Sequence, residues 1–532
     1  MTQKRRGWWF RIGIGCAIAL VVLAVVAEVM IHHASPILKG RLIETLSTRF
    51  DSRVEIDSFD VSVFRGLEAT GGGLRIYPPE SVVAAGATQP LIAVKHFSFH
   101  SGLIGLFIKP MHVLAVGVKG LQIQIPPREM RQQAAERRPK HHGKIKILVN
   151  EIICDDSQLI IGTSKPDKDP KHFVLRHIEL HDVGPNAPWQ YDATLTNAVP
   201  RGDIHATGRF GPWQTERPGD SSVTGHYTFI HVDLNTIKGI SGVLTSVGNF
   251  KGQLDKIMVE GTTNTPNFSL DTANHAMPLA TEFAAIVDGT RGDTYLQHVD
   301  AKLRDSNLTA RGAIINIKGH GHEIKLNMDV PAGHLQDFLD LAVKTQPPVM
   351  SGIIRTHIKL QIRPGPESVS QKLSFAGAFA LRQIQFSNPK VQDKVDMLSL
   401  RARGKPQYAK PGAADVASQM NGTFSLSSGA LRFSDLEYHL PGARVNLAGV
   451  YSLDGQRFDF RGKVYTQAAL WQMVDSRWKS LLLWPVAPFF RGKGGGTEIP
   501  VKISGTRSAP KFGLDIGRHD HSDHDTGKSA EQ

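Results

Sequence analysis

Three histidines and three aspartates crowd the C-terminal tail, where His519, His521 and His524 alternate with Asp520, Asp523 and Asp525. Imidazole and carboxylate at that density could hold zinc or copper. A polar tail, however, lacks the second layer of hydrogen bonds that orients metal ligands, so no specific metal site is read from it. Gly527-Lys528-Ser529 has the ending of a phosphate-binding loop, but such a loop needs a glycine five positions before Gly527, where Ser522 stands. His322-Glu323 lacks the second histidine of a zinc protease, and Arg201-Gly202-Asp203 and Arg291-Gly292-Asp293 read as polar turns. There is no nucleophile elbow and no dinucleotide fingerprint. The expectation is a non-enzymatic protein with no catalytic residue, no cofactor and no metal.

The elements that would have to position any chemistry are mostly strands. Residues 323–330 alternate Glu, Lys, Asn and Asp with Ile324, Leu326, Met328 and Val330. Ile358, Leu360 and Ile362 alternate with Lys359, Gln361 and Arg363, and Leu121, Ile123 and Ile125 with Gln122 and Gln124. Val445 and Leu447 repeat the pattern, as do Ile499, Val501 and Ile503, then Phe512, Leu514 and Ile516. A period of two gives each strand one apolar and one polar face. Pro441-Gly442 and Asp454-Gly455 supply turns between such runs. The reading is a mainly β chain, an antiparallel meander with one wet face.

Helices are few: residues 36–50, the amphipathic 334–344, and 467–483. Three short helices cannot cover the apolar side of so many strands. About 30 strands at about 4.8 Å spacing would run on the order of 150 Å. Open twisted sheets rarely exceed about ten strands without splitting or curling. The sheet must therefore curl on itself, pack on a second sheet, or hold an apolar ligand. Interruptions are expected at 126–143, 164–171, 363–370 and 403–414.

Residues 12–31 form the longest apolar run, with Glu28 near its far end. Twenty residues of helix rise about 30 Å, enough to cross a bilayer core. Lys4, Arg5 and Arg6 precede the run and argue for a cytoplasmic N-terminus, while Trp8 and Trp9 suit the headgroup level. A cleaved signal peptide is the alternative, with a processing site near Val25-Val26-Ala27. The segment is long for that, and helical sequence continues past it.

Net charge is +13, from 62 basic and 49 acidic residues, with three to four of those charges at the N-terminal flank. The remainder is scattered and not clustered with aromatics, which argues against nucleic acid as a partner. The bland reading of the charge is a solvated surface; the sharper one is attraction to anionic headgroups. Cys16 and Cys154 are the two cysteines, one inside the apolar run, so no intramolecular disulfide is expected. Trp471, Trp478 and Trp484 precede Phe489 and Phe490. Trp471 and Trp478 are seven apart and would share a helix face, either plugging the end of a sheet or lying in a membrane interface.

Several segments together resemble AsmA-like bacterial envelope proteins. They are VEIDSFDVSVFRGLEATGGGLRI (54–76), residues 234–270, LTARGAI (308–314) and GKGGGTEIPVKISGTRSAPKFGLDI (492–516). The similarity covers nearly the whole chain through loose motifs whose order, more than any one of them, is characteristic. It implies a protein anchored in the inner membrane whose long, curled β-groove carries phospholipid across the periplasm toward the outer membrane. Acyl chains would then lie on Ile324, Leu326, Met328, Ile358, Leu360, Ile362, Val445, Leu447, Ile499, Val501 and Ile503. The alternative is an anchored scaffold that assists outer-membrane assembly proteins, with a closed, lipid-free β core.

The implied order is a cytoplasmic N-terminus (1–11), an anchor (12–31), a β section with a leading helix (32–125) and a basic insertion (126–143). The β-groove (144–518) and a polar tail (519–532) complete it.

Overall fold

The computed structural model describes residues 39–514 except 41, 45, 48–51, 63–66, 79–82, 84–88, 103–110, 126–146, 162–169, 185, 215–216, 318–319, 345, 413–415, 453–456, 475–495 and 507–509. The expected anchor with Lys4, Arg5, Arg6, Trp8 and Trp9, the 126–143 insertion, and the tail lie outside the described residues. So do Trp478, Trp484, Phe489 and Phe490. Among the described residues no helix is long and apolar enough to cross a membrane. In the expected leading helix, Lys39, Gly40, Leu42, Ile43, Glu44, Leu46 and Ser47 are described and helical.

The fold is mainly β, an open and mostly antiparallel sheet. It divides into two compact units, Met1–Phe268 with Ala280–Thr294, and Ser269–Leu279 with Tyr295–Gln532.

The first unit holds β1 (Val54–Glu55), β2 (Ser58–Ser62), β3 (Leu67–Ile76), β4 (Ile92–Ser101), β5 (Met111–Ile125) and β6 (Ile147–Ile161). β7 (Lys171–Val183), β8 (Trp189–Ala198), β9 (Arg201–Phe210), β10 (Ser222–Asp233), β11 (Ile240–Ser241), β12 (Val243–Gln253) and most of β13 (Lys256–Leu270) continue it. β1 and β2 both pair with β3, and from β3 each strand pairs with the next as far as β10. β10 then pairs with β12, and β12 with β13.

One pair departs from the expected meander: β5 and β6 run parallel, Val116 beside Ile152 and Val118 beside Cys154. Parallel neighbours need a crossover of about a dozen residues or more, and residues 126–146 are long enough to provide one. Cys154 is a buried free thiol beside the Ser157 hydroxyl, at 3.1 Å.

β14 (Met277–Asp288) and β15 (Asp293–Leu303) fall at the division. The second unit contains β16 (Ser306–Ile317), β17 (Gly321–His334), β18 (Met350–Ile362), β19 (Leu373–Phe386) and β20 (Ser418–Ser427). β21 (Ala430–Leu440), β22 (Ala443–Ser452), β23 (Phe458–Thr466), β24 (Thr497–Gly505) and β25 (Pro510–Leu514) follow. From β16 to β25 every strand pairs antiparallel with the next.

Among the described residues its α-helices are α1 (Leu335–Ala342), α2 (Val369–Lys372) and α3 (Pro389–Ala402). α1 matches the expected 334–344 helix. α3 was not expected, although Asn388-Pro389 is a strong start signal: the Asn388 side chain accepts from the Lys390 N–H at 3.0 Å, with Pro389 in the first turn. The expected 467–483 helix is a 3-10 turn at Leu470–Met473 as far as it is described.

Glycine and aromatic residues face one another across neighbouring strands. Gly377 opposes Phe424, Gly449 opposes both Phe433 and Phe460, and in the first unit Gly225 opposes Phe250 and Gly248 opposes Tyr227. A Cβ on Gly449 would stand 2.6 Å from Phe460 Cδ1, and one on Gly225 2.9 Å from Phe250 Cζ. The missing side chain leaves room for the ring and for the neighbouring backbone, since a Cβ on Gly449 would also clash with the Asp459 carbonyl oxygen. Gly449→Ala should therefore destabilise by about 1–3 kcal/mol through overpacking. Gly513→Ala, with no atom within 4 Å of the new carbon, should be near neutral. Chemical denaturation of the two variants, followed by circular dichroism, checks the difference.

The polar face carries cross-strand ion pairs. Thr196 Oγ1 donates to Asp203 Oδ1 at 2.8 Å, and Arg176 stands 3.1 Å away. The Thr196 hydroxyl holds the Asp203 carboxyl below its ordinary range; partial burial opposes it and Arg176 adds to it. A depressed carboxyl contributes stability above its unfolded value, near 3.9, and loses it as pH falls through the folded value. Asp203→Asn should cost less than about 1 kcal/mol at pH 7, because the site is partly exposed. That cost should shrink and then vanish as pH falls through the folded value of Asp203, as denaturation midpoints across pH would show.

Candidate functional site

In antiparallel register, directly opposed residues share a face, and the opposed residues of β16–β25 are apolar row after row. Ile314, Ile324, Ile362 and Leu373 form one row. Leu326, Leu360, Phe375, Leu426, Leu431 and Tyr451 form the next. A third runs Met328, Ile358, Gly377, Phe424, Phe433, Gly449, Phe460 and Ile503. Further along the strands, Leu436, Leu447, Gly462 and Val501 align, then Tyr438, Val445, Val464 and Ile499. All eleven residues expected to line a groove thus fall on one face of one unit. Each is half-buried, neither sealed in a core nor free in water.

Phenylalanines connect the rows. Ring centroids lie 5.8 Å apart for Phe375–Phe424, 6.0 Å for Phe379–Phe424, 6.3 Å for Phe379–Phe433 and 5.9 Å for Phe433–Phe460. This aromatic ladder spans β19 to β23. Sequence reading missed it because its members are spread over four strands, at most two to a strand, so no single strand shows an aromatic run.

The two ends of the face differ. α1, α3 and the turn at Pro441-Gly442 all gather where β17, β19 and β21 end and β18, β20 and β22 begin. There Leu335 of α1 packs with Leu381 and Ile384, and Leu339, Met350, Phe379, Met420 and Tyr438 surround them. Ala402 of α3 packs with Leu440 and Ala443. Polar ties fix the helices. Arg304 Nη1 donates to Asp340 at 2.7 Å, and Ser306 Oγ donates to Asp337 at 2.7 Å. Tyr438 Oη donates to Ser418 Oγ at 2.8 Å. Its phenol is pushed up by burial. The carbonyl of Ala468 accepts from Thr466 and Thr497, and Trp471 in the following 3-10 turn is exposed. This end is closed. Toward the other end, where α2 and tight turns connect the strands, the apolar rows stay half-exposed except for Leu426.

The opposite face of the same strands is polar. Asn327 opposes Lys359, Asp329 opposes His357 with 2.6 Å between Oδ1 and Nδ1, and Lys463 Nζ lies 2.6 Å from Glu498. Glu437 is held below the ordinary carboxylate range by the imidazole of His439 at 3.2 Å, with partial burial opposing and Asn421 and Arg444 adding.

The first unit repeats the pattern on β3–β12. Val94, Leu121, Ile123, Leu159, Ile178, Leu180, Ala193 and Leu195 lie on its apolar face. Tyr191 joins them over Gly208, and burial pushes its phenol up to about 12.

No protein-family model, curated protein or solved structure matches this chain.

The difference between the two ends of the second unit is testable by stability. Ile384→Ala removes a fully buried side chain and should cost about 2–5 kcal/mol. Leu360→Asp, in the half-exposed rows, should leave a cooperatively folding protein and cost about 1 kcal/mol. Denaturant midpoints of the two variants decide it. Equal, large losses would mean that Leu360 is sealed under other atoms.

Proposed function

We propose that this protein is a non-enzymatic, membrane-anchored lipid-binding protein of the bacterial envelope. Residues 12–31 anchor it in the inner membrane with the N-terminus cytoplasmic, and the β units stand in the periplasm. The apolar face of β16–β25 takes phospholipid acyl chains and assists their passage toward the outer membrane. The observation that carries this reading is the long row of half-exposed apolar residues on one face, closed at one end by α1 and α3. An acyl chain covering those rows exchanges water for hydrocarbon contact at about 0.8 kcal/mol per buried methylene. The aromatic ladder offers smooth, adaptable contact without directional bonds, which suits chains that must slide. No catalytic residue is required.

The test is site-specific photocrosslinking of the full chain in living cells, with a benzophenone amino acid replacing Leu326, Leu360 or Ile503. Lys359, whose side chain belongs to the polar face, is the control. Phospholipid adducts by mass spectrometry at the three apolar positions, with none at Lys359, are expected. Adducts with protein alone would replace this reading with the scaffold for outer-membrane assembly.

A further inference from the structure

The polar face of the first unit carries a cluster that the lipid-binding reading does not use. Glu151 on β6 directly opposes His181 on β7, and Glu179 lies two residues before His181 on the same face. Ligand atoms of these three residues all lie within 4.8 Å of one another, and each residue is half-buried. His181 Nε2 is 2.8 Å from Glu179 Oε1. The other oxygen of Glu179 faces His177, whose Nε2 is 3.7 Å away. His177 is itself fixed by Asp155, 2.6 Å from its Nδ1. Glu179 is thus a carboxylate between two imidazoles, one of them oriented by a second carboxylate. His177, held by Asp155, can in turn hold Glu179, as second-layer groups hold a ligating carboxylate in place.

The backbone adds precision. Two ligands on one strand and one on its hydrogen-bonded neighbour are set by ladder geometry, which is stiffer than a loop. The position beside Glu151 on β5 is Ala115, which brings no competing charge and little bulk. Two carboxylates and a neutral imidazole offer two negative charges and a mixed oxygen and nitrogen donor set. That chemistry suits a first-row divalent cation better than calcium or magnesium, which favour oxygen alone.

We propose that Glu151, Glu179 and His181 bind a divalent transition cation of the zinc type, with His177 and Asp155 positioning Glu179. The site lies on the polar face of the first unit and does not depend on lipid binding.

Zinc itself is the probe, titrated against a chromophoric chelator. The protein is the full chain in detergent, without an added histidine tag, and with His519, His521 and His524 replaced by alanine to remove a competing tail. One equivalent of zinc should bind at micromolar or lower Kd. H181N and E151Q should each weaken it at least about tenfold, and H177N severalfold. H357N, which alters a histidine paired with Asp329 in the second unit, should leave it unchanged. Circular dichroism establishes that the variants fold. Absence of a stoichiometric site in that range, or one that survives both H181N and E151Q, would overturn the assignment. An unchanged affinity in H177N would overturn the positioning role.

Discussion

Register is the constraint on which the second unit depends. Ten antiparallel strands keep their opposed residues on a common side, so one misplaced residue in one strand would turn that strand's apolar set toward water. The ladder survives its irregularities because they are compensated. In β19 the pairing shifts between Leu381 and Ile384, and Gln383 adopts a φ of 55°. The extra residue returns Ile384 to the apolar side, where it is fully buried opposite Ser418. β10 does the same between Phe229 and Val232, with His231 at a φ of 53° and Val232 1% exposed. Each of these bulges re-phases a strand as it enters its most buried part.

That constraint shapes the division of labour along the strands. Sealing the whole face would take many helices, and α1 and α3 reach only one end of it. At that end the bulges, the helices and the buried polar ties occur together, and each supports the others. Arg304 donates to both Asp337 and Asp340, and Ser306 and the Asp305 N–H donate to Asp337, so these buried carboxyls have partners. The remaining rows have no such apparatus. They rely on cross-strand contact among Phe375, Phe424, Phe379, Phe433 and Phe460, which links β19, β20, β21 and β23.

The strands with clean alternation were legible from sequence. Ile324, Leu326 and Met328, then Ile358, Leu360 and Ile362, fall opposite one another because nothing interrupts the period of two between Ile324 and Val330 or between Thr356 and Ile362. The buried ends were not legible, because a bulge changes apolar spacing from two to three, and Leu381 and Ile384 then look like opposite faces of one strand. α3 was passed over because its neighbours read as strand and turn, although Asn388-Pro389 announced it. The parallel pairing of β5 with β6 was illegible for a different reason: alternation states which way a side chain faces, not which way the neighbouring strand runs. The Glu151, Glu179 and His181 cluster joins residues 30 apart in sequence, so no linear spacing could display it.

The asymmetry of the apolar face bears on how a conduit of this kind would work. A face sealed everywhere would be a core, and a face open everywhere would be an aggregation hazard along ten strands. Closing one end with α1 and α3 anchors the register firmly. The other end keeps apolar rows at intermediate exposure, where an acyl chain would meet partly formed contacts and displace little protein. Such a lining would give each methylene a modest gain, spread over many rows. Under the proposed function that spread is the useful property: a ligand that must move along a surface is better served by a flat free-energy profile than by a tight site.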